Sequence, residues 1–312
     1  MLMNIDYDKI QQSINEYGNY ILNCIKSQYN SSLTQEQLQN IEDLLNMQFI
    51  VIEKSSNEDI EFFSKQAGVT NPEDYSVDYI PSAHGGRAKG DNKIHIYPYT
   101  KAFESCKTDD EIIKSCIGNI VVHEIFHYFI RPNLSDENRT KKDEFGHFIT
   151  EGLVQYYSEE FAKKYRLGEP KSNYGKNVEF AKQLIASFPE NMTQTEIDRI
   201  IFTYNQDQLL ELSKNGKQLY DSYIENSIFQ DNISLFIIEM GKEIGMDIND
   251  ERLKSIIRHY KKMDNRDEIL SELYKGIEVT FNNNELLKNN YIMKLNNITS
   301  NGSNEDEIHK HK

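Results

Sequence analysis

The stretch Ile112–Pro132, IIKSCIGNIVVHEIFHYFIRP, constrains this chain more than any other. Apolar residues at Ile113, Ile117, Ile120 and Val121 recur at helical spacing, and the same helix runs on through HEIFH at 123–127 until Pro132 ends it. Imidazoles four residues apart on a helix project from one face, so His123 and His127 can bind a single zinc ion. Glu124, one residue on, is turned by about 100° and so stands beside such an ion rather than on it. A general base that takes a proton from a water at the metal belongs there.

HExxH is a short pattern and needs a third ligand from elsewhere. The segment FITEGLVQYYSEEFAKKY, Phe148–Tyr165, reads as a second helix, and its Glu151 is set among apolar Leu153, Val154, Tyr157 and Phe161. A carboxylate turned toward protein needs a partner. Zinc held by the two histidines would supply one, giving His2Glu ligation with one position open. The competing reading is an exposed glutamate in a first helical turn, favoured there by the helix dipole. Because GHFITEG reads as a helix entry, His147 is expected near the metal but not on it.

HEIFH followed by TEGLVQYYS resembles the gluzincin group of zinc metallopeptidases, which includes the thermolysin-like enzymes, over roughly residues 48–215. The resemblance implies one zinc ion held by His123, His127 and Glu151, with Glu124 as general base activating a zinc-bound water. It also implies a zincin fold, α+β, in which the two helices pack beside a small, twisted, mostly antiparallel sheet. In such a fold KIHIYPY would be the edge strand along which an extended peptide lies. A Tyr or His donor for the developing oxyanion is expected as well. Tyr174, in KSNYGKNVEFAKQL, has the matching place at the start of the next helix, with helix-entry packing as its alternative; His259 and Tyr128 are weaker candidates. The chain departs from the thermolysin-like pattern at Gln155, where those enzymes carry an Asp that orients a zinc-bound histidine. A Gln carbonyl oxygen can accept the same imidazole N–H without charge. Asn119, one turn before His123, and His84, in the loop AHGGRAKG, are further candidates for which ordinary surface placement competes.

Around this centre, residues 7–47 read as two helices, the first with Ile10, Ile14, Tyr17, Ile21 and Ile25 on its apolar face. FIVIEK, YSVDYI and KIHIYPY read as strands, DIEFFSKQAG as a helix and PSAHGGRAKGDN as a loop. Beyond Thr100 the pattern is helical to about 295, with Leu235, Ile238 and Met240 taken as core. The division expected is a helical N-terminal segment 1–47, a zincin catalytic subdomain 48–167, a mainly helical C-terminal subdomain 168–298 and a disordered tail 299–312.

Composition narrows the partners. With 35 Lys+Arg against 50 Asp+Glu, a formal charge of -15 repels phosphate backbones, so no nucleic-acid partner is expected. No apolar run is long enough for a membrane span, and the N-terminus lacks the basic and apolar regions of a signal peptide. Three cysteines, Cys24, Cys106 and Cys116, in no metal-knuckle spacing fit reduced thiols and a cytoplasmic location, with export by an uncleaved route as the other possibility. The function expected is that of a zinc metallopeptidase acting on a peptide or protein substrate. An endopeptidase is preferred over an aminopeptidase because no GAMEN-like stretch precedes HEIFH. The alternative from another class is a non-catalytic, zinc-bound domain that recognises peptides or a partner protein.

Overall fold

The computed structural model describes residues 6–53, 56–61, 86–88, 93–98, 103, 105–130, 141–168, 175–203, 205–263 and 265–300. Helices dominate it. In chain order they are α1 (Tyr7–Tyr29), α2 (Gln35–Leu45), α3 (Asp109–Cys116), α4 (Val122–His127), α5 (Lys141–Tyr165), α6 (Gly175–Ala186), α7 (Gln194–Phe202), α8 (Gln206–Leu212), α9 (Gly216–Glu243), α10 (Glu251–Lys261), α11 (Arg266–Thr280) and α12 (Glu285–Ser300). The chain forms two compact units, Met1–Leu219 and Tyr220–Lys312. The N-terminal helices, the sheet and the HEIFH segment therefore share one unit.

The expected α+β zincin fold with a mostly antiparallel sheet is not what the chain adopts. Among the described residues sheet is confined to three strands of three residues, β1 (Ile50–Ile52), β2 (Gly86–Ala88) and β3 (Ile94–Ile96), in the order β1-β3-β2. β1 and β3 run parallel, and only β2 and β3 are antiparallel. Parallel pairing needs a long crossover, which the forty or so residues between β1 and β3 provide. The edge position expected of KIHIYPY is likewise overturned, because β3 is the central strand. Its second neighbour is GRA, taken as loop for its glycines but paired Arg87 to His95. The strand expected at YSVDYI and most of the helix expected at DIEFFSKQAG lie outside the described residues, apart from a helical turn at 57–61.

α1 is no mere lead-in. Ile10, Ile14, Ile21, Leu22 and Ile25 are wholly buried, and the helix lies on β1. Tyr17, expected on that face, is 45% exposed, and the place it was given belongs to Gly18. A Cβ on Gly18 would stand 2.7 Å from the Ile50 side chain, so a glycine is what lets helix and strand approach. Two turns earlier the Gln11 amide behaves like a neighbouring strand, donating to Ile50 O at 2.7 Å and accepting from Ile52 N at 2.9 Å. Those two groups of β1 are thereby closed to strand addition. On the sheet, His95 Nδ1 lies 2.7 Å from Glu53 Oε1, and Tyr97 donates to the buried Asp59 at 2.7 Å.

The HEIFH helix is anchored on its far side by aromatic rings. Phe126, fully buried, packs edge-on against Tyr29 and Phe161 and face-on against Phe202. Burying such a ring contributes about 1.5–3 kcal/mol. Gln37 of α2 closes two helix ends at once: its Nε2 donates to Phe129 O at 3.2 Å and to Phe202 O at 2.8 Å, while its Oε1 accepts from Thr34 N. Carbonyls at helix C-termini lack partners of their own, so this one side chain ties α2, α7 and the end of the HEIFH segment together.

The second unit has its own apolar core, in which Phe229, Ile233, Phe236 and Ile237 of α9 meet Leu253, Ile269, Leu273, Ile277, Phe281 and Tyr291. Leu235, expected in that core, is 60% exposed; the buried stripe of α9 runs through its neighbours Ile233, Phe236 and Ile237 instead. α12 includes Thr299 and Ser300, the first two residues of the expected tail, and 301–312 lie outside the described residues.

Candidate metal centre

His123 and His127 occupy α4, which follows a five-residue π-helical segment, Ile117–Val121. The wider turn of a π segment is common next to functional sites, and here it coincides with a close contact. A Cβ on Gly118 would lie 3.3 Å from Leu167 O, beside Gly168 at φ +114°. The turn that ends α5 therefore rests on the segment that leads into HEIFH. Asn119, a candidate from the sequence, belongs to that π segment.

Glu151 comes from α5, and its setting differs from the expected one. The helix begins at Lys141, so Glu151 is in its third turn, and the reading of a first-turn glutamate stabilised by the dipole fails. Gly146, read as a helix entry, lies buried inside the helix. α5 and α6 pack closely because residue 152 is glycine.

Three metal-ligating groups converge. His127 Nε2 lies 3.0 Å from His123 Nε2. Glu151 Oε2 lies 3.4 Å from His123 Nε2, and Oε1 lies 3.6 Å from His127 Nε2. A tetrahedral zinc with bonds of about 2.0–2.2 Å sets neighbouring donor atoms about 3.4 Å apart, so these separations fit one ion. All three side chains are largely withdrawn from solvent, at 9%, 25% and 13% exposure for His123, His127 and Glu151.

The chemistry of the donor set points the same way. His123 Nδ1–H donates to Gln155 Oε1 at 2.9 Å, so in the neutral ring the Nε2 lone pair is turned toward His127 and Glu151. Glu151 Oε2 is buried and accepts no hydrogen bond among the described residues. Burial raises this carboxyl, but hydrogen bonds and positive charge from the His123 and His127 rings, when these are protonated, outweigh burial and hold it well below the usual carboxylate range. Converging lone pairs around a buried carboxylate with an unsatisfied oxygen suit a cation, and two imidazoles with one carboxylate suit zinc.

Glu124 is half-buried at the position after His123, on the same helix. His147 lies within α5, one turn before Glu151. Its Nδ1 is 3.9 Å from Glu151 Oε1, beyond hydrogen-bonding reach, and its side chain is half-exposed. Gln155 receives the imidazole N–H as the sequence anticipates. Tyr128 caps the C-terminus of α4, while His259, in the second unit, pairs with Glu272 at 3.2 Å. Tyr174 and His84 lie outside the described residues. Glu159, to which the sequence assigns no role, accepts a hydrogen bond from Gln155 Nε2 at 3.0 Å. Its spacing of four from Gln155 is the only signal that could have marked it.

Comparison with protein-family models, with curated proteins and with solved structures finds no match to this chain. Among the described residues no helix is long and apolar enough to cross a membrane. The residues themselves therefore carry the functional argument: a His2Glu group able to hold a metal ion, with a glutamate beside it.

Proposed function

We propose that this chain is a zinc-dependent metallopeptidase whose centre is of the gluzincin type, carried on a mainly helical scaffold. The observation that supports this most is the convergence of His123 Nε2, His127 Nε2 and the Glu151 carboxylate at 3.0, 3.4 and 3.6 Å, with Glu124 next in line on the same helix. Zinc bound there supplies Lewis-acid polarisation of a peptide carbonyl and lowers the pKa of water. His123, His127 and Glu151 hold it, and Gln155 fixes the ring of His123. Glu124 takes the proton of the attacking water and hands it to the leaving amine as the C–N bond breaks. A carboxylate in that place has a use in hydrolysis that it would lack in a site built only to bind.

The test is hydrolysis of a fluorogenic peptide library by zinc-loaded protein and by Glu124→Gln. The variant should keep its zinc and lose about 10²–10⁴-fold in rate, the usual contribution of a positioned acid–base group. A variant as fast as wild type would remove Glu124 from the mechanism. A wild-type protein that binds zinc and peptides but cleaves none would favour the non-catalytic recognition domain.

A further inference from the structure

Gln155 orients His123, but a primary amide presents either a donor or an acceptor with equal reach. Only the acceptor end serves the centre. With Oε1 taking the Nδ1–H of His123 at 2.9 Å, the ring keeps its Nε2 lone pair for the metal. Reversed, the amide would offer N–H to Nδ1 and favour the other tautomer, with its proton on Nε2 between His127 and Glu151. What decides the orientation is therefore whatever holds the far end of the amide.

That end is held by Glu159. Gln155 Nε2 donates to Glu159 Oε1 at 3.0 Å. An ionised carboxylate accepts and never donates, so it can face only the NH2 end of the amide. Turning Gln155 over would bring two oxygens to that separation and leave both without a proton, a cost that a mostly buried side chain cannot pass to water. Glu151, Gln155 and Glu159 stand one turn apart on α5, so ligand, relay and carboxylate share one rigid stripe.

We infer that Glu159 is a positioning residue of the metal centre, setting the tautomer of His123 through the Gln155 amide. The inference rests on reading His123, His127 and Glu151 as metal ligands. It also accounts for a neutral Gln in this place, since the charge stands one hydrogen bond further out.

The test reverses the polarity of the relay. In Glu159→Lys the ammonium can only donate, so it should draw Oε1 of Gln155 to itself and leave NH2 facing His123. Metal-free protein in alkaline buffer, observed by ¹⁵N NMR of the imidazoles, should then show the His123 proton moved from Nδ1 to Nε2. Zinc affinity, measured by competition with a chromophoric chelator, should fall about 10–100-fold, the usual effect of losing an outer partner of a ligand. Combining E159K with Q155E should restore both readings, because a carboxylate accepts from lysine and from Nδ1–H together. Glu159→Ala, which frees the amide without adding charge, should weaken zinc binding less than E159K. A folded E159K with His123 unmoved and zinc affinity within twofold of wild type would overturn the inference. So would a loss of affinity that leaves the tautomer unchanged and is not rescued by Q155E. The tautomer is read without metal, so a shift in E159K together with no zinc uptake by wild type would retain the relay and remove the metal centre instead.

Discussion

Gly152, next to the proposed ligand Glu151, is the described position where one methyl group should disturb the unit that carries the site most. A Cβ there would meet Asn177 O at 2.2 Å, Asn177 C at 2.7 Å and Ala181 Cβ at 3.3 Å. Two of those atoms are backbone, so no rotamer change relieves the clash, and α5 and α6 would have to part by roughly 1 Å to reach even tight van der Waals contact. Parting them also stretches the 2.9 Å hydrogen bond from Asn177 Nδ2 to Phe148 O. Overpacking costs about 1–3 kcal/mol, and backbone against backbone belongs at the upper end. Losing the hydrogen bond adds about 1 kcal/mol, while alanine recovers about 1 kcal/mol of helix propensity over glycine. The net for Gly152→Ala is a destabilisation of about 2–3 kcal/mol, or roughly 5–10 °C in Tm for a unit of this size. Thermal denaturation in chelator reads packing without metal. Gly276 of α11 is the control, because nothing lies within 4 Å of a Cβ placed on it. Gly276→Ala should be neutral or stabilising by up to about 1 kcal/mol. A G152A protein within about 0.5 kcal/mol of wild type would refute the reasoning, since that is the range of an ordinary surface substitution.

Three further outcomes are expected. Gln37→Leu should cost about 1–3 kcal/mol in urea denaturation, because it leaves the carbonyls of Phe129 and Phe202 without this donor; an unchanged midpoint would mean that water replaces the amide. Asp198 is mostly buried, and burial raises its carboxyl above the ordinary value even though Tyr157 and Gln194 donate to it at 2.6 and 2.7 Å. Its folded-state pKa thus exceeds the unfolded one, so its contribution is full below the unfolded value and is lost as pH rises through the folded value. Wild type should therefore gain stability relative to Asp198→Asn as pH is lowered from 7 toward 4, and a difference independent of pH would contradict the shift. Glu151→Gln should weaken zinc binding more than Gln155→Ala does, since one changes a ligand and the other its support; the reverse order, read by chelator competition, would exchange their roles.

The cluster of His123, His127 and Glu151 is legible in the chain because helical spacing marks the histidines and apolar neighbours mark the glutamate. Four residues bring His123 and His127 to one face, and apolar neighbours turn Glu151 inward. Gln155 is marked by the resemblance, as the residue that stands where thermolysin-like enzymes carry an orienting Asp, and it does accept the His123 N–H. What stayed hidden depends on partners distant in sequence. GRA at 86–88 has no strand pattern and becomes β2 only because β3 offers a ladder, and the parallel pairing of β1 with β3 leaves no local trace. Gly146 suggested a helix start, yet it lies buried in α5 and the helix runs through it. Tyr17 and Gly18 are adjacent, and periodicity could not decide which of them faces β1; the close approach of Ile50 decides for glycine. The fold class is hidden for the same reason: FIVIEK and KIHIYPY look like parts of an extended sheet, yet β1 and β3 pair over only three residues each.

The central claim is that His123, His127 and Glu151 hold a metal ion. Elemental analysis of wild-type protein beside His123→Ala, both purified without chelator, tests it most directly. About one zinc per wild-type chain and little in the variant, with matching circular dichroism, is the result predicted for a tetrahedral His2Glu site. Equal metal in both, or none in either after zinc is supplied, would contradict it.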